Sequence, residues 1–88
     1  METVEVYILH SASIDKYYIG SSNNVERRLK EHNAGKTEFA KRGMSWTLVW
    51  RKEFINRAAA SKFEVWLKNQ KSRKLIEKII AGDFDFVP

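Results

Sequence analysis

Tyr7 and Tyr18 stand eleven residues apart, each followed by an isoleucine. Arg28 comes eight residues after Gly20, His32 four residues after Arg28, and Glu64 far downstream. These side chains cover distinct chemical tasks. A guanidinium presents a planar fork that matches phosphate or carboxylate oxygens. A carboxylate can hold a largely hydrated divalent cation. A phenol, with its ordinary pKa of about 10, can deprotonate water only if nearby positive charge lowers that value. Each residue also has an ordinary reading. Strand tyrosines are commonly packing residues with a satisfied hydroxyl, and Arg28 can pair or snorkel along a helix. Glu64 lies four residues before Lys68, the favourable order for a helix surface pair, and His32 can interact with a helix dipole. Taken one at a time, the local pattern leaves both readings open.

The elements that would position these residues follow from periodicity. Residues 3 to 10, TVEVYILH, alternate Val4, Val6 and Ile8 against Thr3, Glu5, Tyr7 and Leu9, the pattern of a strand with one deeply buried face. KYYIGS, residues 16 to 21, forms a second strand, and the short polar SASID between them makes an antiparallel hairpin that brings the tyrosines near each other. Asn23 with Glu26 reads as an N-cap and its reciprocal partner, and Gly35 as a left-handed stop, so a helix is expected over roughly 24–34. Val25 and Leu29 form its apolar stripe, with Arg28 and His32 at the margin. KTEFAKRGMS, residues 36 to 45, has no clear period and reads as a basic loop. WTLVWRKEF is a third strand. Asn56 caps a helix running to about Gln70, with Ala59, Phe63, Trp66, Leu67 and Gln70 expected inward and Glu64 at the flank. Ser72 opens a last helix with Leu75, Ile76, Ile79 and Ile80 inward and Gly82 as its stop. One or both phenylalanines of the DFDFVP tail should lie on the body. The order is ββαβαα, an α+β arrangement.

The run Val6-Tyr7-Ile8, Tyr18-Ile19-Gly20, Arg28 and His32 at these spacings resembles the GIY-YIG nuclease superfamily. The later run from Trp46-Thr47-Leu48-Val49-Trp50 through Ala60 to Phe63-Glu64 and Leu67-Lys68 is similar to its small standalone bacterial branch, akin to an excinuclease subunit. The likeness covers nearly the whole chain. It implies a three-stranded antiparallel sheet flanked by three helices, with Tyr7, Tyr18, Arg28, His32 and Glu64 converging on one concave surface. The name-giving motif reads Gly-Ile-Tyr where this chain has Glu5-Val6-Tyr7. The tyrosine is kept, so the departure touches backbone packing more than chemistry. Asn69 and Gln70 are loose counterparts of a polar amide found late in some relatives.

Hydrolysing a phosphodiester needs an activated water, stabilised charge on the non-bridging oxygens and help for the leaving oxygen. The resemblance assigns Glu64 to one Mg²⁺ or Mn²⁺ ion, Arg28 to the phosphate, and a tyrosine, Tyr7 by preference, to the water.

Composition bounds these readings. The chain has 88 residues, 43% hydrophobic and 31% charged, with three Trp, five Phe and three Tyr, enough apolar bulk for one domain over 1–88 and no more. There are no cysteines and only two histidines, which excludes disulfide scaffolds and thiolate zinc and leaves oxygen as the main ligand of any metal. The start of the chain lacks the basic and apolar pattern of a secretory signal, so a cytoplasmic location is expected. A formal charge of +5 favours an anionic partner. Arg27, Lys30, Lys36, Lys41, Arg42 and Arg51 are the candidate phosphate contacts, salt-sensitive and blind to sequence. Trp46 and Trp50 can stack on a base, although strand tryptophans are usually core. The expected function is a DNA endonuclease, structure-directed or weakly specific, in repair or recombination. The alternatives are a non-cleaving nucleic-acid-binding module, including one for RNA, and a subunit active only with a targeting protein partner.

Overall fold

Strand β1, Val4–Ser11, carries an apolar side chain at almost every inner position, and the fold gives it two faces to bury. It lies at the centre of a three-stranded antiparallel sheet of order β2-β1-β3, flanked by β2, Lys16–Ser22, and β3, Trp46–Phe54. The computed structural model describes residues 3–35 and 45–84. Helix α1, Val25–Asn33, covers one face of the sheet, and α2, Arg57–Gln70, with α3, Arg73–Ala81, covers the other. The expected order ββαβαα and sheet are therefore observed.

Val6, Tyr7, Ile8 and Leu9 are all fully buried, which corrects the expectation of one buried face. Period-two alternation sends Val4, Val6 and Ile8 toward Ala60, Leu67 and Ile79, while Tyr7 and Leu9 pack with Val25 and Trp46. Between Ile8 and Leu9 the pairing with β3 shifts register, so Trp50 faces Ile8 and Leu48 faces Leu9. The intervening Val49 bulges and joins Trp50 on the α2 side.

Each helix starts on a side-chain cap. Asn56 accepts from the Ala59 amide at 2.9 Å and Ser72 from the Leu75 amide at 3.1 Å. In α1 the cap is Asn24, which accepts from the Arg27 amide at 3.0 Å, and not Asn23. The Asn24 amide in turn donates to the Ser22 hydroxyl at the end of β2, which settles the choice between adjacent asparagines. Gly35 and Gly82 both take positive φ after α1 and α3, as expected of their stops.

The inward face of α2 differs from expectation. Ala60 and Leu67 are buried, Ala59 and Phe63 only partly so, and Trp66 and Gln70 are exposed. Trp66 instead runs over the surface in a ladder of rings, 5.6 Å from Phe63 and 5.9 Å from Phe84. Phe84 thus packs on the body as expected; Phe86 lies outside the described residues, as do Lys36, Lys41 and Arg42 of the basic loop. Among the described residues no helix is long and apolar enough to cross a membrane.

Candidate active site

The hairpin register converts the spacing of the tyrosines into contact. Tyr7 faces Gly20 and Leu9 faces Tyr18 across the β1–β2 pair, so the two tyrosines are diagonal neighbours on the face covered by α1. Their ring centroids are 6.3 Å apart. Helix α1 adds His32, 4.3 Å from the Tyr18 ring and 6.5 Å from that of Tyr7. One turn earlier in α1 stands Arg28, near enough for its charge to act on the Tyr7 hydroxyl.

Gly20 makes room for this cluster. A side chain there would place its first carbon 2.6 Å from the Tyr7 hydroxyl and 2.8 Å from the ring carbon that bears it. The Tyr7 ring therefore lies directly over bare backbone, fully enclosed, and its hydroxyl has no hydrogen-bond partner among the described residues. Burial pushes the Tyr7 pKa up, against the opposing pull of Arg28. Enclosure outweighs Arg28 here, and the balance favours the protonated phenol. The same proximity raises the Arg28 pKa. Arg28 also pairs with Glu31 at 3.2 Å, and its side chain is 40% exposed, so it can still meet a ligand. The half-buried Tyr18 is the tyrosine that reaches the surface.

His32 is buried, not marginal, and neither ring nitrogen has a partner among the described residues. Burial, helped by the charge of Arg28 and opposed by Glu31, holds its pKa below the usual value of about 6.5. Between the depressed folded value and about 6.5 the unfolded chain binds more protons than the folded one. The unfolding free energy therefore rises with pH through that window and is lost as the solution is acidified. His32→Phe is expected to flatten the rise of Tm with pH below about 6.5. Thermal melts across that range check it, and parallel curves for the two proteins would count against a neutral buried imidazole. His10, which pairs with Asp15 at 2.9 Å, is common to both and cancels.

Glu64 approaches from the other layer. Its position in α2 falls between Ala60 and Leu67 on the inward face, and only 17% of its side chain is exposed. The Ser21 hydroxyl donates to Oε1 at 2.6 Å, and Lys68 Nζ donates to Oε2 at 2.6 Å. The surface pair with Lys68 therefore exists, but the inner oxygen is committed to the sheet. Ser21 follows Gly20, so alternation puts it on the opposite face of β2 from Tyr18 and Gly20. β2 is an edge strand, with the cluster on one face and the carboxylate on the other, and the Glu64 charge opposes ionisation of Tyr7.

Of the other candidates, Arg27 and Lys30 are exposed on α1. Arg51 is occupied: it makes two bonds of 2.7 Å to Glu5 and one of 3.0 Å to Glu26. Trp46 is 3% exposed and belongs to the core. Two positioning residues were missed. Asn33 accepts from the amides of Trp46 at 2.6 Å and Ser45 at 3.2 Å and donates to the Trp46 carbonyl, which ties the end of α1, and hence Arg28 and His32, to β3. Ser21 orients Glu64. Strand alternation beyond Gly20 could have pointed to Ser21; nothing local singles out Asn33.

No curated protein and no solved structure matches this chain. The GIY-YIG catalytic domain model matches residues 4–77, a span that contains both tyrosines, Gly20, Arg28, His32 and Glu64. With that match and the observed sheet and helix order, the chain belongs to the GIY-YIG family of nuclease domains.

Proposed function

We propose that the protein is a divalent-metal-dependent DNA endonuclease that selects its substrate by structure more than by sequence, with repair or recombination as its setting. The observation that carries this reading is the exposed Arg28 guanidinium held beside the enclosed Tyr7. Glu64 is fixed at the adjoining edge by a hydroxyl and a cation.

The donor set suits a hydrated Mg²⁺ or Mn²⁺ ion. Among the described residues no three His, Cys, Asp or Glu side chains gather around one point, so a cage built wholly from protein is excluded there. One oriented carboxylate with water and substrate phosphate filling the other positions is the usual arrangement for magnesium. Glu64 Oε2 already faces positive charge, from Lys68. Glu64 would hold the ion, which when bound neutralises phosphate charge and assists the leaving oxygen.

The chain's own residues do the rest. Arg28 grips the non-bridging oxygens. Tyr7, neutral and enclosed, keeps its hydroxyl in the field of Arg28 without a hydrogen bond to it and does not act as a base. Tyr18, which reaches the surface, orients the water that adds to phosphorus as the bond to the leaving oxygen breaks. Tyr7→Phe separates these roles: deleting a buried hydroxyl that lacks a partner should leave Tm unchanged or higher, while cleavage falls by about tenfold or more. Paired melting and cleavage measurements check it; a lower Tm with full activity would reverse the assignment.

The function itself is tested by incubating the protein with plasmid and branched DNA and Mg²⁺ or Mn²⁺, beside Glu64→Ala and Arg28→Ala. The reading expects cutting by the parent chain alone. Equal cleavage by all three would sink the assignment, and binding by all with cutting by none would identify a non-cleaving module.

A further inference from the structure

A groove of about 730 Å³ runs between β2 and the junction of α2 with α3. It adjoins the active site, because Tyr18 and Lys68, the ion-pair partner of Glu64, both line it. Its rim carries Lys16, Lys68, Lys71 and Arg73, and among the described residues no acidic side chain lines it. The floor is apolar, with Tyr17, Tyr18 and Ile76 the partly exposed members; the Tyr17 ring packs 4.9 Å from His10 and its hydroxyl donates to Glu77 at 3.5 Å, so Ile76 and the free edge of Tyr17 are what a ligand would meet.

The four cations have different duties. Arg73 pairs with Asp15 at 2.7 Å and Glu77 at 3.3 Å, and its guanidinium lies 5.0 Å from the centre of the Tyr17 ring. Its charge is spent on the fold, and it holds the Tyr17 ring in place. Lys16 and Lys71 are exposed and make no ion pair among the described residues. Lys71 also occupies the left-handed position that ends α2, with φ 48°, where glycine is the unstrained residue. A long cationic side chain is thus kept at the groove against backbone preference.

We propose that this groove binds an unpaired nucleotide segment, with a base against Ile76 and the open edge of the Arg73-covered Tyr17 ring and the flanking phosphates on Lys16 and Lys71. An apolar floor can be covered by the face of a base, and a closed duplex presents no such face to the surface of a protein. Aromatic floor and cationic rim together are the arrangement that holds single strands without reading sequence. The inference rests on the nuclease reading and sharpens it: the substrate would carry single-stranded character beside the cut, as flaps and forks do.

The test uses the full chain in chelator, so that binding is read without cutting. Fluorescence anisotropy would compare a short labelled oligothymidylate with a blunt duplex of matched length. Lys16→Glu with Lys71→Glu is expected to weaken oligothymidylate binding by about tenfold or more and duplex binding by less than about threefold. The charge-matched control, Lys62→Glu with Lys78→Glu, alters exposed lysines that do not line the groove; it is expected to change both by less than about threefold. Equal weakening of both ligands, or equal effects of the two double variants, would overturn the proposal. So would displacement of the oligonucleotide by polyglutamate at matched charge, which would make the groove a site for acidic peptides. Loss of the cutting assay with retention of this binding pattern would remove the nuclease reading and leave the groove.

Discussion

Glu64→Gln is expected to lower metal-supported cleavage by about 100- to 1,000-fold, the scale set by removing one preorganised charge-stabilising contact, while the protein stays folded and binds DNA at least as well. The substitution keeps the length of the side chain and an oxygen for the Ser21 hydroxyl, which donates to Oε1 at 2.6 Å. What it removes is the negative charge that would hold the cation and that now holds Lys68. The lost pair is half in water, since Lys68 is 49% exposed, so its contribution to stability is under about 1 kcal/mol. Releasing Lys68 adds a free positive charge beside the groove, which should raise affinity for nucleic acid at low salt. Binding and cutting are therefore expected to move in opposite directions. Single-turnover cleavage and anisotropy on the same DNA check this, and a variant that keeps more than about half the parent rate would remove Glu64 from the chemistry. Glu64→Ala is the harsher change, because it also strips the acceptor from Ser21.

The closeness of Tyr7 and Tyr18 was legible because a short hairpin folds one strand back on the other, but the register that sets Tyr7 against Gly20 was not. Once Leu9 faces Tyr18, Tyr7 must face Gly20. The order of the elements was readable too, since each strand and helix keeps its own period. The failures have local causes. Ala58, Ala59 and Ala60 are consecutive, so size gives no sign of which one points inward, and an error there rotates α2 enough to put Trp66 inside and Glu64 at the flank. Asn23 and Asn24 are equally good caps in isolation; the Ser22 hydroxyl, available only after β2 is built, selects the second. The enclosure of Tyr7 and His32 depends on both faces of β1 being covered, a tertiary fact that alternation in one strand cannot express. That enclosure raises the Tyr7 pKa, which the spacing of the tyrosines could not show.

Gly20→Ala is the second large expected effect, and it follows from the same enclosure. The new methyl would lie 2.6 Å from the Tyr7 hydroxyl, 2.8 Å from its ring and 3.0 Å from the Tyr18 ring. Neither β1 nor the ring of Tyr7 has free space to retreat into, because Tyr7 and both its neighbours in sequence are fully buried. Overpacking of this kind costs about 1–3 kcal/mol. Restricting the unfolded chain returns only about 0.4–1 kcal/mol. The net loss should lower Tm by roughly 5–15 °C for a domain of this size. Activity should fall further than stability explains, by about 100-fold at temperatures where the variant is fully folded, because displacing Tyr7 moves Arg28 off the phosphate by a fraction of an ångström to an ångström. Adding Tyr7→Phe removes the atom in closest conflict, so the double variant should recover part of the lost stability and show a non-additive cycle. It should not recover activity, since the hydroxyl beside the Arg28 charge is gone. A Gly20→Ala protein with unchanged Tm and rate would mean that the ring is free to move and that the packing of Tyr7 over bare backbone does not set the geometry of the site.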